Sequence, residues 1–153
     1  MLFRSYPAKT DADVPNAYLS SLRDVTFTWP MRTWARMTGT GRSKAYLYWF
    51  NHAPPIPNSQ YFGAFHAAEI SYVFKNLNGR VAPRESDLRL ADAMIGYWVN
   101  FAATGDPNGP GLPKWEPYNP QAEPYLEFAD PVRLKNHLLK EQLDFIEQFQ
   151  KRR

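Results

Sequence analysis

Apolar positions run unbroken through residues 45–50 (AYLYWF), with no alternation of polar and apolar side chains. That pattern predicts a strand covered on both faces, and such a strand needs neighbours on both edges. Pro54, Pro55 and Pro57 follow, then Gly63 and Ala64, a composition that predicts a long loop. In residues 66–74 (HAAEISYVF), Ala67, Ile70, Val73 and Phe74 fall at helical spacing, so His66 is read as the residue that opens a helix. In open α/β sheets, chemistry sits in loops beyond the carboxyl ends of the strands. A histidine delivered there is a candidate general base.

The remaining pattern is mostly helical. Residues 1–15 show no periodicity and read as a connector. Residues 16–23 predict a short amphipathic helix with Asn16 as N-cap and Leu19 and Leu22 on one face. A second helix is predicted over 30–37, carrying Met31, Trp34 and Ala35 inward and ended by Gly39 and Gly41. Asp24, just before it, reads as a capping residue or as an acid, capping being the ordinary role beside a helix start. The strongest helix is predicted from Ser86, as cap, to Gly105. Leu88, Ala91, Ile95, Trp98 and Ala102 form one apolar row there, and Leu90, Met94, Tyr97 and Phe101 a second. Pro107 confirms its end. After a proline-rich connection, residues 124–128 (PYLEF) predict a short strand, placed at a sheet edge because Pro124 starts it. Residues 131–150 read as a C-terminal amphipathic helix. Its apolar arc is wider than the ~100° that one packing face requires. Two contacts inside one fold explain such an arc, and a homodimer through this helix is the alternative.

Composition narrows the classes. The chain has 153 residues, 44% hydrophobic and 16% aromatic, which fits one packed domain or a piece of a larger one. Cysteine is absent, so disulfides and thiolate metal sites are excluded while the compartment stays open. The N-terminus turns polar within a few residues, unlike a signal peptide, which favours a cytoplasmic location without settling it. The net charge of +3 is scattered, and only Lys151-Arg152-Arg153 forms a basic run. That run reads as a solvated tail, so no nucleic-acid partner is expected. No stretch is long and apolar enough to span a bilayer, and no membrane partner is expected. His52, His66 and Glu69 are candidate metal ligands, because H-x-x-E places two of them near one helical turn. With three histidines in all, and His137 on a polar helix face, neither metal nor cofactor is expected.

Three blocks, YLYWFNHAPP, GAFHAAEISYVF and MIGYWVNFAATGDPNGPGLPKWEPY, together resemble the C-terminal part of the type-B carboxylesterases. These are serine hydrolases of the α/β-hydrolase fold that include the cholinesterases and the p-nitrobenzyl esterases. The resemblance covers nearly the whole chain, 1–153. Gly63, His66 and Glu69 fall on the family's G-x-x-H-G-x-E pattern. The resemblance implies that His66 is the general base and acid of a Ser-Glu-His triad, with Glu69 supporting the site from behind. It also implies carboxylic-ester hydrolysis of a small-molecule substrate. Ala67 stands where the pattern has glycine, and Lys75 where glycine often follows the Val-Phe pair. Neither change removes a catalytic group.

A triad also needs a nucleophile on a G-x-S-x-G turn between strand and helix, in the chain order Ser, acid, His. The nearest match, Gly41-Arg42-Ser43-Lys44-Ala45, lacks the last glycine and precedes a strand. Asp11, Asp13 and Asp24 precede His66 but have no family motif around them. The family's glutamate and oxyanion-hole glycines would fall before Met1. Losing the nucleophile costs on the order of 10⁶ in kcat, whereas a histidine acting alone contributes only ~10²–10⁴. The expectation is an incomplete α/β-hydrolase, inactive by itself and requiring the N-terminal hydrolase half. The other reading is a cholinesterase-like module that binds or associates without catalysis.

Overall fold

The computed structural model describes residues 2–39, 43–79 and 81–151. A helical arm opens it: α1 (Leu2–Ser5), a 3₁₀ turn (Asp11–Asp13), α2 (Val14–Arg23), a π-helical turn (Asp24–Thr28) and α3 (Trp29–Gly39). After β1 (Tyr48–Phe50) come two single-turn helices, α4 (Ser59–Phe62) and α5 (Ile70–Val73), and the long α6 (Glu85–Thr104). β2 (Pro124–Phe128), β3 (Arg133–Asn136) and α7 (Lys140–Gln150) complete the chain. Among the described residues the sheet has three strands in the order β1-β2-β3, parallel between the first two and antiparallel between the last two.

The segment read as a connector carries α1 and buries Tyr6, whose hydroxyl donates to Asp24 at 3.1 Å. The first amphipathic helix starts at Val14 with Pro15 in its opening turn, so Asn16 lies inside the helix and is not its cap. Asp24 is fully buried and accepts bonds from Tyr6, Arg23 and Thr28, which explains how α2 and α3 join without a loop. Gly41 lies outside the described residues.

The core forms where α6 meets the sheet. Leu90, Ala91, Met94 and Tyr97 of α6 pack with Leu126 and Phe128 of β2 and with Trp115, all at 4% exposure or less. Most of the second apolar row is therefore core, joined by Ala91 of the first, while Leu88 of the first row is 44% exposed and Phe101 of the second 48%. The residue that satisfies the helix start is Asp87, not Ser86: its carboxylate accepts the Arg84 backbone N–H at 2.7 Å.

Two strand expectations change. β1 is shorter than 45–50, only half-buried, and paired on one edge, with no strand on its other edge among the described residues. β2 is the central strand and not an edge. Pro124 is tolerated there because it is the first residue, and pairing with β1 starts only at Leu126.

The helix read over 131–150 is corrected to a strand and a shorter helix. Residues 133–136 pair with β2, which needs a partner for its second edge, and Val132 and Leu134 carry the period-2 signal for this. His137 (φ 57°) and Leu139 (φ 44°) then take left-handed conformations that no helix accommodates, so α7 begins at Lys140. Its Leu143 and Ile146 are buried, and it packs against α1, the π-helical turn and α3. Much of the wide apolar arc is thus used inside the fold.

A buried ion cluster ties the helical arm to the C-terminus. Arg32, 3% exposed, donates to Glu123 at 3.0 Å and to Asp144 at 2.6 Å, and Arg36 bonds Glu123 and Glu147. No helix among the described residues is long and apolar enough to cross a membrane.

Candidate active site

His66 sits in a turn and not at the start of a helix. Ala67 has φ 69°, which excludes helical geometry at that position, and the helix begins only at Ile70. The turn closes through backbone bonds from Ala68 to Phe65 and from Ile70 to Ala67. It pushes the imidazole outward, and His66 is exposed. The ring lies against Phe27 of the π-helical turn, with centroids 4.9 Å apart and planes 22° from parallel. That turn is what brings Phe27 there: Asp24 and Thr28 face inward and bond each other, leaving Phe27 on the outside. Among the described residues neither imidazole nitrogen has a hydrogen-bond partner.

His66 and half-buried Glu69 line one cleft of about 1000 Å³, together with Phe27, Met31, Trp34 and Trp49. Burial raises the Tyr48 phenol above its ordinary value, and the charge of Glu69 adds to that rise. Of the aromatic residues around the site, Tyr72 is fully buried, while Trp49, Phe62 and Phe65 line the cleft. His52 is elsewhere. It is buried with Nε2 at 2.6 Å from Asp87, a side-chain partner that its position in the sequence did not indicate. Among the described residues no group of three or more His, Asp or Glu could hold a metal ion.

A model described as the carboxylesterase family matches residues 1–146. The chain belongs to the carboxylesterase family. It is 32% identical to carboxylesterase 5A of Felis catus over 149 residues, covering 92% of this chain and 27% of that protein. It is 42% identical to the bile salt-activated lipase of Homo sapiens over 92 residues, which cover 57% of this chain and 12% of the lipase. Among solved structures, a Geobacillus stearothermophilus carboxylesterase superimposes with a TM-score of 0.77 at 26% identity, covering 92% of this chain and 30% of that one. A thermophilic p-nitrobenzyl esterase at 20% identity and the same TM-score shares the fold. The architecture is a part of the carboxylesterase α/β-hydrolase fold, and the match spans about a quarter of the length of carboxylesterase 5A and 12% of the lipase.

The carboxylesterase pattern gains a physical basis from the backbone. Ala67 and Lys75, at the two positions where the family pattern favours glycine, both have positive φ, 69° and 50°. A side chain in that region costs roughly 1–2 kcal/mol, while a glycine loses about 0.5–1 kcal/mol more backbone entropy on folding. Ala67→Gly is therefore expected to stabilise the chain by about 0.5–1 kcal/mol, read as a raised urea midpoint at constant m-value. A lowered midpoint would contradict this account of the turn.

The serines and acids of this carboxylesterase chain have other occupations. Ser43 is exposed and leads into β1 instead of following a strand, and Gly41 and Arg42 beside it lie outside the described residues. Ser71 donates to the Ala68 carbonyl within the His66 turn. Asp13 accepts bonds from Thr10 and Lys9, and Asp24 is committed to its buried partners. The functional neighbour that sequence reading missed is Phe27. No local signal marks it, because its role depends on a π-helical turn meeting a loop 39 residues later in the chain.

Proposed function

We propose that this chain supplies the histidine of a Ser-Glu-His esterase, with His66 acting as general base and then general acid in carboxylic-ester hydrolysis. The observation that carries the reading is an exposed imidazole, free at both nitrogens among the described residues, held on an aromatic ring at the wall of a largely apolar cleft. In such a site one ring nitrogen takes the proton from a serine hydroxyl as it attacks the ester carbonyl. The same nitrogen then returns the proton to the leaving alkoxide. The other nitrogen donates to a carboxylate that keeps the ring in the right tautomer. Glu69 lines the same cleft and adds negative charge near the imidazolium that forms. The relatives carry the names carboxylesterase and lipase, which agrees with an acyl ester as the substrate class.

The nucleophile and the triad acid come from the other hydrolase portion. Several features support this requirement. β1 has one edge without a partner strand among the described residues. Leu19, Leu22, Met31, Trp34, Phe62 and Phe65 are exposed at 40–65% and line the cleft. Covering such side chains is worth about 1.5–3 kcal/mol each. For six of them that is comparable to the ~5–15 kcal/mol stability of a whole domain.

The decisive experiment is a p-nitrophenyl acetate assay of the purified chain, alone and with an N-terminal carboxylesterase portion. No turnover above buffer is expected alone, and turnover is expected on mixing. Turnover by the chain alone that disappears in His66→Ala would refute the requirement for the second portion. Stable association with that portion, with no turnover, would instead favour the non-catalytic module.

A further inference from the structure

The loop that carries His66 leaves the sheet after β1 and ends in α5, and both of its ends converge on one buried carboxylate. Asp87 is fully buried in the first turn of α6. Its Oδ1 accepts from His52 Nε2 at 2.6 Å and from the Tyr72 hydroxyl at 2.7 Å. Its Oδ2 accepts from the backbone N–H and the Nε of Arg84, both at 2.7 Å. Arg84 Nη2 donates to Oδ1 at 2.9 Å and to the Ala53 carbonyl at 2.6 Å. The short His52 contact assigns the Nε2 proton to Asp87, so Arg84, 3.1 Å from the same nitrogen, does not donate to it.

Capping α6 requires only the bond from the Arg84 backbone. The other partners have a different distribution. His52 and Ala53 stand where the loop begins, and Tyr72 stands in α5, six residues beyond His66. α5 packs against α6, and α6 is a 20-residue helix whose next turns are core. The middle of the loop has no such anchor: Tyr61, Phe62 and Phe65 are exposed at 40–82%. The position of the imidazole is thus inherited from the two ends of its loop.

We propose that Asp87 is a positioning residue for His66, clamping loop 53–71 at both ends so that the imidazole is held against Phe27 at the wall of the cleft. A 1 Å displacement of a reacting group can cost about 10²-fold in rate, so releasing either end lowers turnover without removing any group that touches substrate. The consequence for catalysis rests on the esterase reading above; the clamp itself does not.

The test uses the full 153-residue chain. Tyr72→Phe removes one hydroxyl and His52→Gln one imidazole, and Asp87→Asn weakens the whole cluster. The ring current of Phe27 shifts the His66 ring protons upfield, which gives an NMR signature of the stacked position. In Tyr72→Phe and His52→Gln these protons are expected to move more than halfway to free-imidazole positions. Amides of 59–69 should exchange at least tenfold faster, with β2 and the middle of α6 unchanged. His66 protons at wild-type positions in both variants, or exchange that rises uniformly across β2 and α6, would overturn the clamp. If Asp87→Asn does not fold, the two milder variants still decide. In the reconstituted esterase, Tyr72→Phe should lower kcat at least tenfold with KM within twofold of wild type; an unchanged kcat would overturn the catalytic consequence. A wild-type reconstitution with no turnover would instead remove the esterase reading, and the NMR comparison would still decide the clamp.

Discussion

Replacing His66 by alanine in the reconstituted esterase is expected to lower kcat on the order of 10⁶-fold, the loss seen when the base of a serine-hydrolase triad is deleted. The loss exceeds the ~10²–10⁴ of simple general-base catalysis because serine and histidine act as one unit. Without the imidazole the serine hydroxyl keeps its proton, and the leaving alkoxide has no acid to receive one from. His66 is well suited to this sensitivity. Its side chain is exposed and rests on the Phe27 ring, so truncating it removes no buried bond. His66→Ala should therefore unfold at the wild-type urea concentration. Release of p-nitrophenolate within tenfold of wild type would end the assignment of His66 as the base. Equal loss of stability and activity would point to a folding effect instead.

Glu123→Ala is expected to cost the chain about 3–5 kcal/mol, the usual penalty for removing one partner from a buried ion pair. Glu123 is 4% exposed and lies between Arg32 and Arg36, so its removal leaves two guanidinium groups facing each other with only Asp144 and Glu147 to answer them. α3 and α7 are held together partly through this carboxylate. The m-value and midpoint of urea unfolding measure the loss, and a cost under 1 kcal/mol would show that the cluster is a solvated surface network.

The same residue predicts a pH dependence. Burial alone raises the Glu123 carboxyl, but hydrogen bonds from Arg36 and Arg32 outweigh it and hold the group below its ordinary value. Its contribution is therefore complete at pH values above the unfolded carboxyl's ~4.3 and is lost as pH falls through the lower folded value. In Glu123→Gln that part of the acid-side decline is expected to vanish, which a comparison of urea midpoints at neutral pH and below pH ~4 reads directly.

Local chemistry determined much of this protein in sequence alone. The period of α6, the gapless apolar run that becomes β1, the glycine and proline punctuation around α6 and the histidine motif are all short-range signals. They located His66 and Glu69, and by resemblance they indicated the α/β-hydrolase fold. Only the tertiary structure decided the rest. Residues 133–136 became a strand because β2 had a second edge to pair, and β2 became central although it opens with proline. Asp24 and Glu123 were drawn inside by partners that lie far away in sequence, up to 91 positions between Arg32 and Glu123. His66 left the helix its spacing suggested because Ala67 occupies a left-handed turn. Its surroundings, Phe27 on one side and a loop clamped by Asp87 on the other, depend on where separate elements meet in space. Periodicity reports which face of an element seeks burial, and it carries no information about which distant residue will cover that face.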